Sequence, residues 1–559
     1  MIFELISWIY ISLICLIWGN RILKVFFGIN EVTTIDFPVV CFIGMSAIGI
    51  ISYYLSLFIP LFPAVKLALQ IPALLILLKP ANREEIIYQW IKPFMNLPKL
   101  DAVFLFAACL MVMFLCTAPI IHPDTLNYHF FSVRIFDRYG SIPGLANLRV
   151  DLGFQSMWFA AMAFFDFSLF GGAPWFPLNG CVMGWVIIFL ISKGSGRKNI
   201  FSVSGISKIW YLLLILFSVL SWTQIRLTAS SLSPDFIATI SVLLAFYFYT
   251  GKQENIPGDK SDLLAALFAI IAVSIKLSVV LVLFIPLLIT GREFIRGRFL
   301  PAFRVCLLAG ILMAPIIIRN IISSGYPFYP SAFAALYPVD WKIDESLILR
   351  LQQYITAYAR YPVIMVNAIS EYNSPFSEWI PVWWRHLYAI DKAILLFIVT
   401  GIILDLIFLR NWMRSLTRRD LMAFLIALAG TLIWFLKAPD PRFGTGFLLP
   451  LIYFLYAPFF RIAGRVDDNY VRGFVVWIKS ISAFCIFLYI GYRAIYFFHP
   501  SQLIYPEGIK NLSVIQPDCA DRIKETILND TVPPVRLPDS CRYFRFRGAT
   551  IKQGFKPAR

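Results

Sequence analysis

Apolar residues in this chain neither alternate nor recur at the spacing of one helix face; they run on without interruption. Residues 102–121, 181–192, 210–219 and 421–436 are examples. Inside hydrocarbon every backbone N–H and C=O must be paired within the protein, which leaves helices or closed barrels. Barrel strands alternate polar and apolar positions in segments of about ten residues. The longer runs here are continuously apolar and approach the ~20 residues a helix needs to cross a bilayer. The pattern predicts an all-α, polytopic transmembrane helical bundle.

Basic residues punctuate these runs in short clusters. They are Arg21 and Lys24; Lys79, Arg83, Lys92 and Lys99; Lys193, Arg197 and Lys198; and Lys252 and Lys260. Arg292, Arg296 and Arg298 follow, then Arg410, Arg414, Arg418 and Arg419, then Arg461, Arg465 and Arg472. Lysine and arginine accumulate in cytoplasmic connectors, so each cluster reads as an inside loop. The threading closes with about 13–14 spans and with Met1 and the C-terminus outside. It divides the chain into N-terminal extra spans with a cytoplasmic loop (1–100), a transmembrane core (101–497) and a small external tail (498–559). Two long external segments interrupt the core, 122–173 and 319–392.

Residues 151–172 are apolar enough to suggest a further span. A crossing there would put Lys193–Lys198 outside, and the run contains Asp151, Gln155 and Asp166. It therefore reads as a helix lying at the outer interface, with a short tilted hairpin as the other possibility.

Composition narrows the picture. Of 559 residues, 59% are hydrophobic and 14% charged, with net charge +17 and mean hydropathy +0.75. A soluble protein of this size lacks neither surface charge nor polar cover, so that class is excluded. The positive charge sits in connectors and forms no basic face with interleaved aromatics, which argues against nucleic acid. Seven cysteines fall in apolar runs, where a buried free thiol is the ordinary state. Cys519 and Cys541 lie in the polar tail and could form a disulfide in an oxidising compartment. No Cys or His spacing suggests zinc. The N-terminus carries no basic region ahead of its apolar stretch, so it reads as a span rather than a cleaved leader.

Candidate chemistry gathers at the external ends of spans. His122-Pro123-Asp124 follows the fourth span, with Tyr128 and His129 close behind. Pro123 ends the helix, and a carboxylate held there could accept a proton from a hydroxyl, although simple helix punctuation gives the same pattern. Ser233-Pro234-Asp235 opens another span, where Asp also suits the helix dipole. Lys276 lies in an otherwise uncharged stretch, 263–289, and an intramembrane lysine marks a pathway or a site unless it snorkels to the interface. Asp440-Pro441-Arg442 ends another span with Lys437 beside it. Arginine is a good bidentate phosphate ligand, and Arg319 is expected on the same side. Carboxylates and cations on one outer surface suit transfer from a phosphate-bearing lipid to a hydroxyl.

With these motifs in place, the chain resembles the GT-C superfamily of integral membrane glycosyltransferases. The HPD of residues 122–124, the loop-plus-interfacial-helix order of 122–173, and the segments YGSIPGLANLR (139–149), SGYPFYP (324–330) and APDPRFG (438–444) carry the resemblance. They are similar to a bacterial subset of hypothetical membrane proteins. The resemblance implies an inverting transferase that moves a sugar from a polyprenyl-phosphate donor to a glycan, lipid or protein acceptor. Asp124 would be the base and Asp235 or Asp440 a supporting acid. Lys276, Arg319 and Arg442 would hold the donor phosphate, with His122, Tyr128, His129 and Arg149 in support. It places the protein in the bacterial inner membrane with its site facing the periplasm or exterior. No cofactor is expected, and a divalent metal stays open. Thr125 follows Asp124 where many members carry an acidic pair, and Trp383-Trp384 is followed by Arg385 rather than an acid. Two alternatives stand beside this reading. A polymerase or ligase of lipid-linked glycans would use Arg385 and His386. A transporter would show internal two-fold symmetry, and the sequence has none.

Overall fold

A computed structural model of the chain describes residues 1–32, 35–95, 97–167, 175–194, 226–251, 256–334, 338–362, 371–462, 468–496, 500–504, 544–547 and 551–557, with isolated positions 210, 213, 214, 498 and 506. The apolar runs fold as helices, many begun by a proline in the first turn, where its missing N–H has no helical partner to lose. The first half comprises α1 (Ile2–Val25), α2 (Phe37–Leu55), α3 (Pro63–Ile76), α4 (Pro80–Ile91), α5 (Lys99–Cys116), α6 (Phe130–Arg138), α7 (Leu145–Leu148), α8 (Met157–Phe164), α9 (Leu178–Gly194) and α10 (Asp235–Thr250). The second half comprises α11 (Gly258–Ile275), α12 (Phe284–Ile295), α13 (Phe299–Ser324), α14 (Glu345–Arg360), α15 (Phe376–His386), α16 (Ala389–Ile407), α17 (Leu409–Ser415), α18 (Arg418–Lys437), α19 (Pro441–Ile462) and α20 (Asp468–Tyr496). The strands found among the described residues are one antiparallel pair, β1 (Phe544–Phe546) and β2 (Phe555–Pro557). The protein is an all-α polytopic membrane bundle.

Six helical runs are long and apolar enough to cross a membrane: α1, α2, α5, Leu277–Ile295, α13 and α18. The count reaches eight if each of two sharply bent pairs, α3 with α4 and α16 with α17, makes one span. The expected 13–14 full-length spans are thus not met among the described residues. At 1.5 Å of rise per residue, the apolar helices α9 and α10 fall short of a full crossing, and most of 210–219 lies outside the described residues.

Ion pairs sort the helix ends into two groups. Lys24–Glu85 at 2.5 Å, Lys193–Asp36 at 2.7 Å, Arg292–Asp262 and Arg419–Asp262 at 2.9 Å mark one end. Lys66–Asp137 at 2.8 Å and Arg134–Asp166 at 2.9 Å mark the other. The second end carries 117–156, 226–234 and the described parts of 325–388, and the candidate chemistry lies there.

The stretch 151–172 is corrected in one respect. Its described residues form a turn and the eight-residue α8, too short to cross. Yet α8 does not lie along an interface, because every residue from Met157 to Phe164 is buried in protein against α2, α6 and α11. With no polar residue between Met157 and Phe164, the helix has no face to offer headgroups. The N-terminal helices share the main core rather than standing apart from it. Glu4 accepts from the indoles of Trp8 (2.8 Å) and Trp175 (2.7 Å).

In the tail, Phe544, Ile551 and Phe555 bury against Phe131, Ile135 and Leu145 of the external segment. Cys519 and Cys541 lie outside the described residues.

Candidate functional site

Three helix starts and one helix break build the site. After α5, His122 precedes a new turn in which Pro123 and Asp124 take the first helical positions. The chain then widens into a π-turn, Thr125–His129, before α6. Such bulges frequently occur at functional sites. A polar loop precedes Asp235. Asn179 donates to the carbonyls of Ser231 (2.8 Å) and Ser233 (3.1 Å), and Ser233 Oγ accepts from the Asp235 N–H. Leu232 N–H donates to Thr125 Oγ1 at 3.3 Å, tying this loop to the π-turn. The stretch 263–289 does not continue as one helix. It breaks at Lys276, which leaves α11 in an extended conformation, and Ser156 at the start of α8 donates to the Ile275 carbonyl at 2.7 Å. Finally, Asp440 caps α19, its Oδ1 accepting from the Arg442 N–H at 3.1 Å. Two indoles clamp this turn: Trp383 donates to Pro439 O and Trp434 to Asp440 O, each at 2.7 Å.

These elements converge on Arg442, which is buried. Its Nε donates to Asp440 Oδ2 at 2.9 Å. Its Nη1 lies 3.4 Å from Asp124 Oδ2 and 3.3 Å from His122 Nε2. Beside it the Lys276 ammonium pairs with Asp235 and stands 3.9 Å above the centre of the Phe443 ring. Three carboxylates thus meet two cations, a formal surplus of one negative charge if the imidazoles are neutral. The carboxylates are not equivalent. Asp235 is 5% exposed and Asp440 16%, each held by a cation, whereas Asp124 is 34% exposed with a single 3.4 Å contact. Asp124 is the most exposed and the least tightly paired of the three.

Residues 1–449 match the model of a family described as a domain of unknown function (DUF8201). The chain belongs to that family. No curated protein and no solved structure matches it. The DUF8201 region contains every residue of the cluster and ends within α19, so α20 and the tail lie beyond it.

Within that region the structure brings together Asp124, Asp235, Asp440, Lys276, Arg442 and His122, but it sets Arg319 apart. Arg319 is buried over the Phe136 ring, its Nε donating to Gln155 (2.8 Å), Nη1 to Ser56 Oγ (2.8 Å) and Nη2 to the Gly140 carbonyl (2.5 Å). It braces the external segment against α2, and no ion pair joins it to the carboxylates. Arg149 pairs with Asp151 at 2.7 Å. His129 packs behind His122, ring centroids 5.5 Å apart, and Tyr128 packs at a tilt against Phe154. Arg385 and His386 are exposed at the end of α15, without a hydrogen bond to the cluster. Sequence reasoning missed Tyr358, whose hydroxyl lies in the field of Arg442, Asp440 and Asp124 and is pushed up chiefly by burial. It also missed the clamps Trp383 and Trp434. Their only signal was aromatic content, which membrane interfaces share. Among the described residues no three His, Cys, Asp or Glu side chains gather to hold a metal ion.

His122 supplies a pH test. Burial, reinforced by the Arg442 charge, holds its imidazole down at about 4. The unfolded chain, titrating near 6.5, takes up the proton first. The stabilisation is therefore complete above pH 6.5 and lost as pH falls towards 4, on the order of 3 kcal/mol in all. Burial also holds His129 well below its usual range, in the same direction. His122→Asn should flatten, without abolishing, the fall in unfolding midpoint across this window. An acid limb as steep as the parent's would exclude His122 as its source.

Proposed function

We propose that the chain is a membrane-embedded inverting glycosyltransferase that uses Asp124 as general base. It moves a sugar from a polyprenyl-phosphate donor to a hydroxyl acceptor. The observation that carries this reading is the inequality among the carboxylates: only Asp124 is both open to solvent and lightly paired. The acceptor hydroxyl gives its proton to the Asp124 carboxylate while its oxygen bonds the anomeric carbon. The bond from that carbon to the donor phosphate breaks, and the phosphate leaves with the electron pair.

Lys276 and Arg442 are the cations within reach of that phosphate, and charge aimed at a leaving group stabilises the transition state. In the resting protein both are engaged by carboxylates. An anionic donor arriving at Arg442 competes with Asp124 for the guanidinium and frees the base as it binds. The basic helix ends opposite the site are the cytoplasmic ones by the charge rule, so the site faces the exterior, the periplasm in a bacterial inner membrane.

The test is transfer in membranes supplied with polyprenyl-phosphate-linked sugar, with product read by mass spectrometry. Asp124→Asn should lower turnover by about 10²–10⁴ while the protein inserts and unfolds as before. Unimpaired transfer by that variant would refute the assignment.

A further inference from the structure

At the end of the bundle opposite Asp124, α4 presents a surface that neither the packing nor the proposed chemistry uses. It leaves α3 at a bend of 100°, so the two helices cannot both run along the bundle axis, and α4, with Arg83, Glu84 and Glu85 in its first turns, is the one suited to the membrane surface. One face is fixed to α1: Asn20 donates to Gln89 and Lys24 pairs with Glu85, both at 2.5 Å, with Ile86 buried between them. The other face is exposed and carries Ile87, Tyr88 and Ile91, continued by Phe94 and Met95. Lys79 and Arg83 flank it, also exposed.

We propose that this face is a seat for anionic phospholipid headgroups. Five large apolar side chains are poorly served by water, and Lys79 and Arg83 are poorly served by acyl chains. The boundary between headgroup and acyl region accommodates both. The sign of the headgroup follows from charge. Residues 79–99 hold four basic residues against Glu84 and Glu85, and Glu85 is already paired with Lys24. A positive surface selects phosphate without a compensating ammonium. A second copy of the chain would bring the same positive charge to the contact, which disfavours self-association here.

The full chain, purified into nanodiscs of phosphatidylcholine alone or mixed equally with phosphatidylglycerol, tests this. Native mass spectrometry should show phosphatidylglycerol retained in preference to phosphatidylcholine. Lys79→Gln with Arg83→Gln should reduce that preference on the order of tenfold, while Arg410→Gln with Arg414→Gln, on α17 at the same end, should leave it intact. Each variant is compared with itself in phosphatidylcholine, and Arg83→Gln alone serves if the pair fails to fold. Equal retention by the α4 variant, an equal loss in the α17 variant, or a dimer without lipid preference would each overturn the proposal.

Discussion

Replacing Arg442 with methionine should destabilise the protein by about 3–5 kcal/mol, the range for removing one partner from a buried charge cluster. The side chain is buried and serves Asp440, Asp124 and His122 at once. Without it, three carboxylates face Lys276 alone. Lysine should rescue little, because one ammonium cannot occupy the positions of both Nε and Nη1. The loss should shrink when Asp124→Asn is already present, since that variant removes one of the stranded charges. Such non-additivity is the signature of residues sharing one network. Unfolding midpoints of the four variants of this cycle, in one detergent, would measure it. A loss under 1 kcal/mol, or strict additivity, would mean that Arg442 does not organise the cluster.

The same cluster shows what a single sequence reveals of a membrane protein. Depth along the bundle axis is legible. Apolar length and basic connectors say which end of a span each residue occupies, and Asp124, Asp235, Lys276, Asp440 and Arg442 all read as lying at one end. Position within the membrane plane is not legible, because it depends on which helices pack side by side. Arg319 has the right depth and lies elsewhere in the plane, spent on Ser56, Gln155 and Gly140. Asp124 and Arg442 are separated by more than 300 residues, and nothing local to either announces the other. The burial of α8 is hidden for the same reason. Its apolar run looks identical whether its neighbours are lipid tails or the side chains of α2.

Packing in the plane rests on close approaches that add a second large effect. Gly44 of α2 lies against the backbone of Cys15 in α1, and Gly19 of α1 against that of Val40 in α2. The contacts are reciprocal and spaced by four residues on each helix, so the two backbones touch along one stripe. Close backbone approach through small residues is what holds membrane helices together, since lipid supplies no hydrophobic drive between them. A β-carbon on Gly44 would land inside the Cys15 carbonyl group. Backbone cannot rotate away as a side chain can, so the helices must separate. Gly44→Ala should therefore cost at least the 1–3 kcal/mol typical of overpacking, and Gly44→Leu should prevent assembly of α1 on α2. The damage should spread, because α2 also carries α8, whose N-cap residue Ser156 holds the carbonyl next to Lys276. Monodisperse, folded yield from detergent extracts would report it. Parent-like yield and midpoint for Gly44→Leu would show that the two helices are not so close.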